Sequence, residues 1–215
     1  MPVHDLTADE LHRLYGSWLP RTPADAAALF ADYPGRWWIA GGWALEAFTG
    51  VSRPHGDLDP SIPRRDLPLL RRHLAGRIDL WAADQETLTV LLPDEADRTS
   101  LADRCENVWA RADGDAPWQY DIILMHGDEE RWTFKRDSRI SLPYDRIIWF
   151  ADRIPYLRPE IQLLHKARGL RPKDEADFTA TAPLLDPEAT DWLREALATV
   201  HPGHPWLSRL GSSTP

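Results

Sequence analysis

Two aspartates one residue apart, Asp57 and Asp59 in His55-Gly56-Asp57-Leu58-Asp59, are the residues best placed to do chemistry. Side chains alternate faces along a strand, so both carboxylates project the same way, about 6.5–7 Å apart along the backbone. Two like charges on one face repel unless a cation lies between them, and carboxylate oxygens are the hard ligands magnesium takes. In phosphoryl and nucleotidyl transfer such a pair holds a metal-bound triphosphate in line with an acceptor oxygen. A third carboxylate, Asp121, interrupts the apolar run Trp118-Gln119-Tyr120-Asp121-Ile122-Ile123-Leu124-Met125. A charge within an apolar strand is expensive without a partner. Asp121 therefore reads as a further metal ligand or as a general base for an acceptor hydroxyl. The alternative is an edge strand with Asp121 facing water.

Gly41-Gly42 supplies the other half of the pattern. It follows the short apolar run Arg36-Trp37-Trp38-Ile39-Ala40 and precedes Trp43-Ala44-Leu45-Glu46-Ala47-Phe48. A strand ending in two glycines at a helix start leaves backbone N–H groups open to phosphate oxygens, with the helix dipole adding to the attraction. Either motif alone arises often as a turn or a solvated edge. Their order and spacing give them weight.

These residues must be positioned by elements the sequence also announces. Apolar spacing from Asp9 to Phe30, broken by Pro20 and Pro23, predicts two short helices with Thr22 or Asp25 as cap. A buried strand then runs into the diglycine, and the helix that follows is closed by Gly50. Residues 57–62 read as a second strand, 66–74 as a helix with Pro68 in its first turn, and 78–82, 87–92 and 118–125 as strands. Residues 101–105 look helix-like, and 131–140 hold a strand or turn pair. From Pro159 the texture turns helical, at 160–169, 173–185 and 187–200. The fold class is α+β: a mixed sheet flanked by helices, then a small helical bundle. Residues 1–153 are expected to form the catalytic domain with its N-terminal helices, and 154–210 the C-terminal helical domain.

Composition narrows the partners. The 215 residues are 43% hydrophobic and 27% charged, an ordinary globular balance, with a formal net charge of −9 that disfavours a dedicated nucleic-acid binder. One cysteine, Cys105, leaves no intramolecular disulfide framework and reads as an inert thiol. No apolar run reaches membrane-spanning length and the start, Met1-Pro2-Val3-His4-Asp5, has no signal-peptide pattern, so the expected location is the cytoplasm. The 11 tryptophans are mostly expected in the core. Trp43, beside the glycine pair, is the exception that could stack on a base or sugar. His165 reads as a half-buried packing residue, His201 and His204 as parts of an ordered loop beneath Trp206, and Arg64-Arg65 with Arg71-Arg72 as a solvated basic stripe.

Together, Trp38-Ile39-Ala40-Gly41-Gly42-Trp43-Ala44-Leu45, His55-Gly56-Asp57-Leu58-Asp59 and the Asp121 strand resemble the nucleotidyltransferase superfamily of DNA polymerase β type. The likeness is nearest to the aminoglycoside 2″-adenylyltransferase and lincosamide nucleotidyltransferase group, and covers about residues 36–185. It implies that Gly41 and Gly42 hold a triphosphate, that Asp57, Asp59 and Asp121 form the catalytic, magnesium-binding set, and that His55 sits near the phosphates. Lys166 would reach the triphosphate from the helical part. Lys173, Asp174 and Asp177 are expected to form an ion-pair network docking their helix. The implied reaction transfers a nucleoside monophosphate, AMP from ATP or another triphosphate, to a hydroxyl of a small acceptor such as an aminoglycoside- or lincosamide-like antibiotic, releasing pyrophosphate. A regulatory, antitoxin-like member or a protein-modifying enzyme would share the motif. Pro60 departs from the family pattern, which usually has an aliphatic residue there, and predicts that the strand ends or bulges at that point.

Overall fold

A computed structural model describes residues 7–84, 87–92 and 101–211. The N-terminal residues on which the signal-peptide expectation rests lie outside them. The architecture is α+β, a mixed sheet flanked and followed by helices.

The N-terminal segment forms the two expected short helices, α1 (Ala8–Tyr15) and α2 (Pro23–Leu29). Each opens on a reciprocal capping box, Thr7 with Glu10 and Thr22 with Asp25, so two orphan donors are satisfied at each start. Thr22 is the cap and Asp25 its return partner. Two buried residues then make β1 (Trp38–Ile39), and α3 (Gly41–Thr49) begins at the first glycine and is closed by Gly50 in the left-handed region. Next come β2 (Pro60–Pro63), α4 (Leu67–Leu74), β3 (Asp79–Asp84), β4 (Thr87–Val90), β5 (Asn107–Arg111) and β6 (Tyr120–Met125). A separate two-stranded ribbon pairs β7 (Arg131–Thr133) with β8 (Ser141–Pro143), and β9 (Ile148–Ala151) turns tightly into β10 (Ile154–Leu157). The chain closes with α5 (Pro159–Lys166), α6 (Pro172–Thr181), α7 (Pro187–Val200) and α8 (Trp206–Arg209).

Among the described residues eight strands form one sheet in the order β4-β3-β5-β6-β2-β1-β10-β9. Two of its contacts are parallel, β2 with β6 and β1 with β10, and the others are antiparallel. The sheet thus continues through Leu157, past the expected boundary at 153/154, and α3 bridges it to the C-terminal helices by packing on α5 and α6.

Several local expectations are corrected. The strand at 57–62 is regular only from Pro60, so proline opens it rather than ending it. Residues 58 and 59 lead in as extended chain: the Leu58 carbonyl accepts from the Asp121 N–H (3.1 Å) and the Asp59 carbonyl from the Ala40 N–H (2.9 Å). Carbonyls carry the pairing here, so a residue without an N–H is tolerated beside them inside the sheet. The helix-like 101–105 is a turn, held because the Arg64 guanidinium gathers the carbonyls of Leu101, Ala102 and Cys105. Arg71 is likewise 2% exposed and donates to the Leu92 carbonyl, so two of the four stripe arginines clasp loops instead of facing water. Cys105 is buried and its thiol is pushed up by that burial, which keeps it inert.

Trp38, Trp118, Trp132 and Trp206 are fully buried, as the core reading expects. Trp206 stacks on Phe178 at 4.2 Å, and His204 beneath it uses both ring nitrogens, on the Ala167 carbonyl and the Trp206 N–H. His165 is wedged against Phe134 and Trp132, and burial lowers its pKa to about 3.

Candidate functional site

Register explains why three distant aspartates meet. On β2 and β6, Ser61 lies beside Ile123, which two residues earlier sets Asp59 beside Asp121 on the same face of the sheet. On the other side, the Asp59 carbonyl meets the Ala40 N–H just before the diglycine. Asp57, two residues back along extended chain, returns to that face. One carboxylate oxygen from each of Asp57, Asp59 and Asp121 lies within 4.8 Å of the other two.

Such proximity has an electrostatic consequence. Burial, then the charges of Asp57 and Asp121, raise the Asp59 pKa well above the usual carboxylate range, with Lys166 and Lys173 opposing the rise. Burial lifts Asp121 to about 7, Asp57 adds to the rise, and hydrogen bonding from Asn107 and Trp109 restrains it. Two carboxyls that resist ionisation beside a third form a site whose charge the protein does not itself balance. Its donors are all hard oxygens at short mutual range, so the residues fit a magnesium ion.

The diglycine approaches this cluster as closely as the chain allows. Gly41 has φ +68°, and a Cβ there would stand 1.7 Å from Asp59 Oδ2. Only glycine fits. Its N–H donates to Gln162 Oε1 at 2.8 Å, which ties α3 to α5. Beside Gly42 the space is filled by side chains: a Cβ would meet Arg53 Nη2 at 2.2 Å and His55 Nδ1 at 2.8 Å.

A cleft of about 700 Å³ opens above the aspartates, between the sheet and the C-terminal helices. Of the expected residues, Gly41, Gly42, His55, Asp57, Asp59 and Lys166 line it. Asp121 lies behind this lining, one oxygen taken by the Asn107 amide at 2.7 Å. His55 holds the entrance loop: its Nε2 meets Glu46 Oε2 at 2.7 Å and its ring stacks on Trp43 at 4.1 Å. Trp43 does not line the cleft. It clamps the loop instead, by this stacking and by donating from Nε1 to the Asp57 carbonyl (3.2 Å).

Lys166 is buried in ion pairs with Asp174 (3.0 Å) and Asp177 (2.9 Å), and Arg171 and Arg53 add further contacts to the same two carboxylates. Asp174 and Asp177 thus form the expected docking network. Lys173 does not join it: among the described residues it has no ion-pair partner, and it lines the cleft with Arg136 and Arg168. The cleft therefore has an acidic floor and a basic wall.

Sequence reading missed Asn107, Gln162, Arg53 and Arg136. Asn107 opens a strand whose alternation, Asn107-Val108-Trp109-Ala110-Arg111, was a usable signal. Gln162 and Arg53 reach their places through tertiary contacts alone, and nothing local marks them.

No protein-family model and no curated protein matches the chain. Among solved structures, it is similar to "Crystal Structure of ANT(2")-Ia in complex with adenylyl-2"-tobramycin", at 17% identity and a TM-score of 0.49, over 80% of this chain and 92% of that one.

Proposed function

We propose that this protein is a magnesium-dependent nucleotidyltransferase that moves a nucleoside monophosphate, AMP from ATP, onto a hydroxyl of a small acceptor. One observation carries the reading: three carboxylates converge at the base of the cleft with oxygens within 4.8 Å, two of them held above their usual pKa, and Lys173, Arg136 and Arg168, which have no ion-pair partner among the described residues, line the same cleft. Bound magnesium would offset that floor and the charge of the polyphosphate.

The chain's own residues supply the rest. Asp57, Asp59 and Asp121 would hold the ion. The start of α3 lines the cleft at Gly41 and Gly42, where its positive end would favour phosphate oxygens and Arg53 and His55 stand beside Gly42. Lys173, Arg168 and Arg136 face the polyphosphate, and Lys166 stabilises this wall from within. Asp121, whose raised pKa suits a proton acceptor near neutrality, takes the proton of the acceptor hydroxyl. The hydroxyl oxygen then bonds to the α-phosphorus, the α–β bridging bond breaks, and pyrophosphate leaves. An acceptor of the aminoglycoside or lincosamide kind, small and polyhydroxylated, fits a cleft of this size.

The test is pyrophosphate release, with magnesium, from each of the four triphosphates against aminoglycosides, lincosamides and simple sugars. Release in the wild type that disappears in Asp57→Asn is the expected result. Release that persists in that variant would remove the proposal.

A further inference from the structure

Asp121 joins the carboxylate cluster from the middle of the sheet, and its neighbours on β5 decide which way it points. Burial alternates along β5: Val108 and Ala110 are buried in the core, while Asn107, Trp109 and Arg111 are half-buried on the opposite face. In the antiparallel register Trp109 stands directly beside Asp121, and Asn107 stands beside Ile123, one diagonal step from Asp121. Direct and diagonal neighbours share a face and lie within reach of each other. Both β5 side chains therefore stand on the face that carries Asp121.

Both of them use that position. The Asn107 amide donates from Nδ2 to Asp121 Oδ1 at 2.7 Å, and Trp109 adds a side-chain hydrogen bond to the same carboxylate. Indole has a single N–H and no acceptor, so Trp109 is the donor. Its ring is held in turn by Tyr15, Trp18 and Trp118, which meet it edge-on with centroids 5.5, 5.1 and 5.3 Å away. Tyr15 ends α1 and Trp18 follows it, so the N-terminal segment braces a donor to Asp121.

A buried carboxylate is hydrogen-bonded in any case. Two further features mark this one: neither donor carries a charge, and Asn107 lines the cleft together with Asp57 and Asp59. Asp174, by contrast, is held by two full cations, Lys166 and Arg171. A cation against Asp121 would orient it equally well, but would offset the negative charge that draws a magnesium ion. Neutral donors fix the direction of a carboxylate and leave its charge for a ligand.

We propose that Asn107 and Trp109 are positioning residues that hold Asp121 turned toward Asp57 and Asp59, in the orientation that ligates magnesium and meets the acceptor hydroxyl. The inference rests on the proposed nucleotidyl transfer and adds to it two residues that act through Asp121. Without them the carboxylate turns about its broad terminal torsion. The cost then falls on metal affinity and on the chemical step, and not on the hold of the basic wall on ATP.

Asn107→Leu and Trp109→Phe each keep most of the side chain's bulk and remove the donor. For each, magnesium alone is titrated into the full chain by calorimetry, and kcat and KM for ATP are measured at saturating magnesium. Magnesium affinity and kcat are each expected to fall by about tenfold to a hundredfold, the range for partners that orient a metal ligand. KM for ATP should stay within about twofold, because the polyphosphate contacts are untouched. An unchanged magnesium affinity in either folded variant would overturn the inference, as would an unchanged kcat, since packing alone would lower only the Tm. A KM that rises as far as kcat falls would also overturn it, as the mark of a distorted cleft. Should one variant fail to fold, the other decides. A wild type that neither binds magnesium nor releases pyrophosphate would sink the transfer reading and this inference with it, whereas variants that match an active wild type would remove the positioning role alone.

Discussion

Two clusters of carboxylates lie at one cleft, Asp174 with Asp177 and Asp57 with Asp59 and Asp121, and the chain treats them in opposite ways. Around Asp174 and Asp177 it supplies the counter-charges itself: Lys166, Arg171 and Arg53 sit at 2.8–3.1 Å. Burial alone would raise Asp174, but hydrogen bonds from Arg171 and Lys166, with the Lys166 charge, hold it below the usual range. Around Asp57, Asp59 and Asp121 no cation among the described residues forms an ion pair, and burial leaves the last two raised. A finished ion network docks a helix. An unfinished one is what the proposed function reads as a ligand site, and the contrast between them gives the base of this cleft a chemical reading.

The comparison breaks most visibly if Asp59→Asn keeps its activity. Turnover should fall on the order of a thousandfold, because several kcal/mol of metal-borne charge stabilisation depends on that oxygen. The variant should still fold, and magnesium should no longer raise its Tm. A retained Tm shift would mean the ion binds elsewhere.

Lys166→Ala attacks the finished cluster. It leaves Asp174 and Asp177 with only Arg171 and Arg53, and a broken buried pair costs about 3 kcal/mol. Chemical denaturation should show that loss. A change below about 0.5 kcal/mol, the scale of ordinary surface substitutions, would mean that the network is not structural.

The two glycines sharpen the contrast. Gly41→Ala must adopt positive φ and push against Asp59, so it should lose both activity and about 1–3 kcal/mol of stability. Gly42→Ala displaces only the side chains of Arg53 and His55, and should mainly weaken triphosphate binding. Equal effects in the two variants would contradict the geometry.

The smallest effect is a slope with pH. Asp121 has a folded-state pKa of about 7, above the usual carboxylate range, so the fold favours its protonated form. Its contribution to stability is fully present below the unfolded value and is lost as pH rises through about 7. In chelator, the Tm of the wild type should therefore fall relative to that of Asp121→Asn across this window, and magnesium should remove the difference. Parallel curves in chelator would show that Asp121 is not strained.

Much of the site was legible because its signals are local. Asp57 and Asp59 share a face by alternation, Gly41 and Gly42 occur where a strand meets a helix, and Asp121 is a charge in an apolar run. The helices were legible for the same reason, since caps and periodicity span three or four residues. Less legible was β5, where half-burial weakens the apolar pattern, and the β9–β10 hairpin, whose turn residues are Asp152 and Arg153 in place of the usual glycine.

The sequence by itself determined the types of residue available for the chemistry and the elements that carry them. Tertiary structure decided which charges were left over. It placed Arg53 on Asp177, Gln162 on Gly41 and Asn107 on Asp121, partnerships spanning 124, 121 and 14 residues along the chain. The reason is physical: a carboxylate's protonation and its appetite for a cation depend on burial and on neighbours within a few ångströms, and those neighbours are chosen by the fold.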